Sequence, residues 1–333
     1  LIPVNRPLLD GNESEYLQEC ITSGWVGSEG PFVKRFEEAF AAYLGRKYAI
    51  AVSSGTAALD IAVSALRPRY LRLPTMTIIS CVRELERLEI PYDFVDSDPD
   101  TWNMTVPDDP FMAVHLWGLP VDISERSPLI EDCSQMLGQT YYGKKCGTLG
   151  SVSTFSFYPN KLITCGEGGM LATDDEWIAR ECRSLRDLYH GPRFHHARLG
   201  FNYRMSNLQA AVGLAQLEGI DRKIRRKRQI GERYNQGLKG LNVQLPQART
   251  PYAENLYWVY PVVTDRPMAT ALKKQGIETR PFFYPLHLQP CLNGVGSFPV
   301  AEYLSSSGLY LPSGNGTTDE EIDQVIAAVR ANA

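Results

Sequence analysis

The sequence predicts an α/β protein: a large α/β domain, residues 1–238 with an N-terminal arm over 1–30, followed by a smaller α+β domain, residues 239–333. Three observations carry this. Short apolar runs of strand length alternate with helical patterns through the first two thirds of the chain. A run of apolar and hydroxyl-bearing residues ends at Pro159 and Lys161 and passes into a turn containing Gly166, Gly168 and Gly169. After Leu238 the composition shifts and strand-like segments resume. Length alone allows one large or two ordinary domains.

Composition narrows the class. Of 333 residues, 44% are hydrophobic and 22% charged, as in a soluble protein with a substantial core. A net charge of −4 gives no reason to expect nucleic acid or an anionic membrane as partner. Seven cysteines, without metal-site spacing, read as reduced thiols, so a cytoplasmic location and no metal are expected. No run approaches the roughly 20 apolar residues of a membrane span, and Leu1–Gly11 does not read as a signal peptide.

The elements follow in order. Glu13–Ser23 reads as a short amphipathic helix among turn formers, and Trp25 sits in a loop, lining a pocket or covering a core edge. Phe32, Phe36, Phe40 and Leu44 share one face of a second helix. An apolar strand from Tyr48 runs into Ser54-Gly55-Thr56 and an alanine-rich helix; free amides at such a start hold a phosphate, or the pattern is an ordinary cap. Tyr70–Pro74 and Thr77–Cys81 bracket a strand end and a helix start. Further strands are expected at Pro91–Asp96, Phe111–Gly118 and from Leu129, the last ending in Glu131 and Asp132. Acids at a strand end in an open α/β sheet suit a cationic ring nitrogen, or form a solvated turn.

Only Asp122–Pro128 separates the strand ending near Trp117 from the one at Leu129. A parallel crossover normally needs a dozen or more residues and a helix. Either the helix is missing or the two strands are not adjacent parallel neighbours.

Lys161, between strand-like segments and beside small residues, is a candidate for a desolvated amine, hence a nucleophile or Schiff-base former. Glu176–Leu188 reads as helix, and Tyr189–Arg198 as a solvated loop with three of the five histidines. Leu208–Leu238 reads as one long helical region capped by Ser206, with the basic run Arg222–Arg228 on a solvated face. Beyond it, strands are expected at Leu241–Leu245 and Tyr257–Val263, a helix at Met268–Gln275, then a loop, and a final helix at Thr318–Ala331. Arg280, Tyr284 and His287 either bind an anionic or hydroxylated ligand or pack.

Four motifs then fall in one order: Ser54-Gly-Thr-Ala-Ala-Leu59, Glu131-Asp132-x-x-Gln135, Ser156-Phe-Tyr-Pro-Asn-Lys161 with Gly166-Glu-Gly-Gly169, and Gly200-Phe-Asn-Tyr-Arg-Met-Ser-Asn207. Over nearly its whole length the chain resembles the sugar-nucleotide aminotransferases of DegT/StrS type, which are fold-type-I enzymes of pyridoxal 5′-phosphate (PLP). The opening Pro-Val-Asn-x-Pro-Leu-Leu-Asp-Gly-Asn, the Ser-Gly-Trp and the Thr-Arg-Pro-Phe-Phe-Tyr-Pro segment are most similar to the branch that makes GDP-perosamine.

The resemblance implies a large domain with a mixed, mostly parallel sheet flanked by helices. It implies that Lys161 holds PLP through its amine and then moves the proton, and that Asp132 pairs with the ring nitrogen. Gln135 and Ile78 would lie against the ring, and Gly55, Thr56 and Ser156 would bind the phosphate. Asn202 and Arg204 would reach the cofactor of a neighbouring subunit, giving a homodimer with shared active sites. Trp25, Arg280, Tyr284 and His287 would meet the substrate. That substrate would be a nucleotide-linked 4-keto-6-deoxy sugar, first GDP-4-keto-6-deoxymannose and second a dTDP-linked sugar, with L-glutamate as amino donor. A PLP-dependent sugar dehydratase or a PLP-binding sensor are the rival readings. Three departures from the family pattern stand out: aliphatic Ile78, with Met76 nearby, where an aromatic residue is common; trimmed crossovers before Phe111 and Leu129; and Cys133-Ser134 after Asp132.

Overall fold

The computed structural model describes residues 1–333 except 109, 125, 193 and 293. Two helices lead in, α1 (Glu13–Ser23) and α2 (Pro31–Leu44). Gly24 and Gly45 end them at φ 75° and 85°, a left-handed turn that glycine adopts without a Cβ penalty. The four-residue spacing on α2 buries Phe32, Phe36, Phe40 and Leu44, as expected. Then come β1 (Tyr48–Val52), α3 (Gly55–Leu66), β2 (Leu71–Pro74), α4 (Ser80–Arg87), β3 (Tyr92–Val95), β4 (Met112–Val114) and β5 (Ile130–Asp132). A short hairpin, β6 (Thr140–Tyr141) and β7 (Lys144–Lys145), precedes β8 (Val152–Ser156) and β9 (Gly169–Thr173). Helices α5 (Glu176–Arg186), α6 (Asn207–Glu218) and α7 (Ile220–Leu238) follow.

The central sheet runs in the order β1-β9-β8-β5-β4. β9 is antiparallel to both neighbours, while β8, β5 and β4 are parallel, with Met112 opposite Ile130 and Ile130 opposite Val152. A bridge between Arg72 and Phe111 extends it to the parallel pair β2-β3. β1, β8, β5 and β4 therefore point the same way, and their carboxyl ends share one edge, where open α/β sheets carry their sites.

β4 and β5 are adjacent parallel neighbours, so the short crossover has lost its helix. Leu119, Val121 and Ile123, spaced by two, bury themselves in its place beside Tyr141 and Tyr252.

Four other expectations are corrected. The long helix breaks at Gly219 into α6 and α7; Ser206 caps α6 in a reciprocal pair with Gln209. Leu241–Leu245 forms no strand; only Gln244 bridges to Val263. The region read as loop before the last helix holds a further helix and strand. The C-terminal part is β10 (Tyr260–Val263), α8 (Met268–Lys274), β11 (Arg280–Pro281), α9 (Pro299–Ser307), β12 (Gly308–Leu311) and α10 (Asp319–Arg330), its antiparallel sheet ordered β10-β12-β11. Fourth, the basic face of α7 is not wholly solvated: Lys223 and Lys227 are buried at 1% exposure. Lys223 Nζ donates to the Leu8 carbonyl at 2.8 Å, and Lys227 Nζ donates to the carbonyls of Trp258 and Ser313 at 2.6 and 2.5 Å. The N-terminal arm reaches the C-terminal part, where Ile2 pairs with Gly276 and Glu278, and Arg6 with Glu321. Among the described residues no helix is long and apolar enough to cross a membrane.

Candidate active site

The shared sheet edge opens into a recess of roughly 500 Å³ of empty space, part of it open to solvent. β1 delivers the start of α3, where the Ser54 hydroxyl caps the Ala57 amide at 3.1 Å. A Cβ on Gly55 would lie 2.7 Å from the Ser156 Cβ, and one on Gly169 would lie 2.3 Å from the Ser54 carbonyl oxygen. Only glycines let β8 and β9 close against the helix start. Thr56 Oγ1 and Ser80 Oγ are 2.7 Å apart, so hydroxyls of Thr56, Ser80 and Ser156 surround the first turn of α3. First-turn amides lack intrahelical partners and carry the positive end of the helix dipole.

β5 delivers Asp132, buried at 3% exposure. Its Oδ1 accepts from the Ser134 amide at 2.9 Å, and its Oδ2 from the Cys81 thiol at 3.6 Å. Both oxygens are thus oriented, and the residue still lines the recess. Burial pushes the thiols of Cys81 and Cys133 well above their ordinary range, so Cys81 stays a donor.

Lys161 follows β8 on a loop held shut on itself: the Phe157 amide donates to Gly168 at 2.9 Å and the Thr164 hydroxyl to Phe157 at 2.9 Å. Neighbours from the rest of the chain tie the loop down, with Asn5 Nδ2 on the Pro159 carbonyl and Trp258 Nε1 on the Asn160 carbonyl, each at 2.9 Å. Burial pushes the Lys161 amine down to about 8, against the attraction of Asp132 and Cys81. The amine is therefore part neutral near physiological pH, as a nucleophile or proton carrier must be.

The structure brings Gly55, Thr56, Ile78, Asp132, Gln135, Ser156 and Lys161 to one recess. Ile78 is 49% exposed at its mouth, and Gln135 Oε1 accepts from the Trp117 amide at 2.8 Å. Other expected residues lie elsewhere. Trp25 and Arg204 line a wider outer recess, where Arg204 pairs with Asp187, and Asn202 is exposed. Arg280 and Tyr284 face solvent, and His287 is buried with its ring nitrogens on Thr75 Oγ1 at 2.7 Å and Glu302 at 3.2 Å. The residue of that segment which lines the recess is Phe283, between core-facing Phe282 and exposed Tyr284. Thr77, Ser80, Ser134 and His115 also line it. Phe283 had a sequence signal, its place in a recognised motif, but only Arg280, Tyr284 and His287 of that segment were singled out.

His115, Glu131 and Cys133 bring three metal-ligand types within 4.8 Å, all buried. Their lone pairs are already used. His115 Nδ1 accepts from the Val121 amide at 2.9 Å, so Nε2–H donates to Glu131 at 3.2 Å. Glu131 also accepts from the amides of Gly147, Leu149 and Gly150 at 2.6, 2.9 and 3.1 Å. Desolvation would raise this carboxyl, but the hydrogen bonds from His115, Gly147 and Leu149 outweigh it and hold it below the ordinary range. The cluster is a structural anchor for β5, the strand that presents Asp132.

A helix start with three hydroxyls, a buried oriented carboxylate and a partly neutral amine, all on one recess, form a donor set that fits PLP. A model of the DegT/DnrJ/EryC1/StrS aminotransferase family matches residues 7–330. A GDP-perosamine synthase from Vibrio cholerae is 36% identical over 362 aligned positions, covering 99% of this chain and 98% of that one. One from Caulobacter vibrioides is 37% identical, covering 98% and 97%. Both alignments are longer than the 333 residues of this chain, in keeping with its trimmed crossovers. Among solved structures, the aminotransferase TlmJ from Streptoalloteichus hindustanus superposes with a TM-score of 0.93 at 29% identity, covering 100% of this chain and 98% of that one.

Proposed function

The chain belongs to the DegT/DnrJ/EryC1/StrS aminotransferase family, and from that membership we propose that it converts GDP-4-keto-6-deoxymannose into GDP-perosamine with L-glutamate as amino donor. The broader activity is that of a PLP-dependent aminotransferase acting on a nucleotide sugar, with the fold-type-I architecture. The observation that carries the finer reading is the full-length similarity to GDP-perosamine synthases, together with a lysine at the position that a transaminase requires.

The residues divide the work. First-turn amides of α3 and the hydroxyls of Thr56, Ser80 and Ser156 bind the phosphate of the cofactor. The oriented Asp132 carboxylate would accept from the ring nitrogen of the cofactor, with Val114 and Phe283 lining the recess around it and Ile78 at its mouth. PLP, when bound, supplies an electron sink for the carbon that bears the transferred nitrogen. Lys161 Nζ would take up and give back the proton that has to move, a task suited to an amine lowered to about 8 by burial. Asn202 and Arg204, exposed and at the outer recess respectively, would serve the partner's site in a homodimer; Trp25, Arg280 and Tyr284 would meet the substrate from the outer side, and His287, held between Thr75 and Glu302, would support that segment. Six buried, unpaired cysteines accord with work in the cytoplasm.

The experiment is a panel of GDP- and dTDP-linked 4-keto-6-deoxy sugars incubated with PLP and glutamate, with sugar products and 2-oxoglutarate both measured. The expected product is GDP-perosamine. A preferred dTDP-amino sugar would move the substrate assignment, and a 3-deoxy sugar without nitrogen would overturn the transaminase.

A further inference from the structure

A residue outside the four motifs faces the reactive amine. Lys161 Nζ lies 4.3 Å from the centroid of the Trp258 ring. Trp258 is contributed by the C-terminal part of the chain and is 4% exposed. Its position is fixed at both ends. The indole N–H donates to the carbonyl of Asn160, the residue just before Lys161, at 2.9 Å. Its own carbonyl accepts from Lys227 Nζ on α7 at 2.6 Å. A ring held this way cannot swing aside, so the amine meets a preset π-face.

We propose that Trp258 is a positioning residue for Lys161, its indole face receiving the free ammonium whenever the amine is not covalently engaged. The inference rests on the reading of Lys161 as the cofactor lysine. During turnover that amine must be released, hold a proton at Nζ, and give it up again. A carboxylate facing it directly would hold the ammonium too firmly. Asp132 is oriented instead by the Ser134 amide and the Cys81 thiol, and no ion pair joins it to Lys161 among the described residues. An aromatic face attracts a desolvated cation through its quadrupole but offers no lone pair to take the proton. Asp132 on β5 and Cys81 on α4 act on the amine through space, while Lys227 holds the Trp258 carbonyl and Tyr310 lies 6.5 Å from its ring. Burial lowers the amine's proton affinity to about 8, and the ring opposes that by favouring the charged form.

The test replaces Trp258 alone with mono-, di- and trifluorotryptophan in the full-length protein freed of PLP. Fluorine drains the π-face while keeping the shape and the N–H to Asn160. The midpoint of Lys161 ionisation is read by pH-dependent competitive acylation with peptide mass spectrometry. It should fall in step with fluorine number, by roughly one pH unit across the series. Trp258→Leu should show the full fall and Trp258→Phe part of it, if both fold. An unchanged midpoint across the fluorinated series overturns the proposal. Borohydride trapping of PLP in the wild type tests the parent reading separately: label on another lysine refutes the role of Lys161 without touching the ring–amine contact.

Discussion

Two lysines with buried amines both touch Trp258, Lys161 at the ring and Lys227 at the backbone carbonyl, yet their surroundings differ. Burial lowers both, Lys161 to about 8 and Lys227 to about 7. By proton affinity alone the two are alike, each partly neutral near physiological pH. Lys227, however, is enclosed, its amine donating to the carbonyls of Trp258 and Ser313, and burial alone lowers its proton affinity. Lys161 faces a cavity, a helix start and the Asp132 carboxylate. Desolvation sets the proton affinity; access and an opposite charge across an open space make it useful. Lys227 instead ties α7 to the backbone of Trp258 and Ser313, so its buried amine is a structural strut.

The sharpest test of that contrast is chemical. Borohydride reduction of the PLP-loaded protein should label the peptide containing Lys161 and leave the one containing Lys227 bare, and Lys161→Ala should lower transamination at least about 1,000-fold. Label on Lys227 would break the comparison. Next in size is Asp132→Asn, which keeps the shape but removes the charge that separates the two environments. A loss of about 100-fold or more is expected in steady-state assays, by analogy with removal of one preorganised polar partner.

The strut has a pH signature. Between its folded value of about 7 and the ordinary 10.5, Lys227 is neutral when folded and protonated when unfolded. The unfolded chain then binds more protons, so the wild type gains stability as pH rises through this window. Relative to Lys227→Met, the gain should approach about 1.4 kcal/mol per pH unit at its steepest and vanish well below pH 7. Denaturant titrations from pH 6 to about 10 read this, and a difference flat across that range would refute it. The smallest effect belongs to the same helix. Arg222 reaches Asp10 at 2.7 Å with half its side chain exposed, so Arg222→Ala should cost less than about 1 kcal/mol in the same titrations.

Local pattern carried far along this chain. α1 spans the eleven residues that its periodicity marks, and α2 buries the four apolar positions spaced for one face. The glycines around Lys161 and the Ser-Gly-Thr turn were legible because close backbone approach demands glycine whatever the surroundings. The crossover between β4 and β5 was legible only as a dilemma. Spacing showed that a helix would not fit, but which strands pair is a fact about the sheet. Phe283 was missed for a related reason: two adjacent phenylalanines look alike in sequence, and only the packing shows that Phe282 stacks on Trp117 at 4.1 Å while Phe283 lines the recess.

The sequence by itself determined the residue types: an amine on a small-residue loop, an acid at a strand end, and a helix start able to hold an anion. These follow from neighbours a few positions away, where bond geometry and periodicity act directly. Only the tertiary structure shows that a second lysine, Lys227, has its amine as deeply buried as that of Lys161, and what surrounds each amine. Lys227 is buried by partners 31 and 86 positions further along the chain, and Lys161 receives its aromatic face from 97 positions further on. Desolvation and proximity act through space, and no local stretch of sequence contains them.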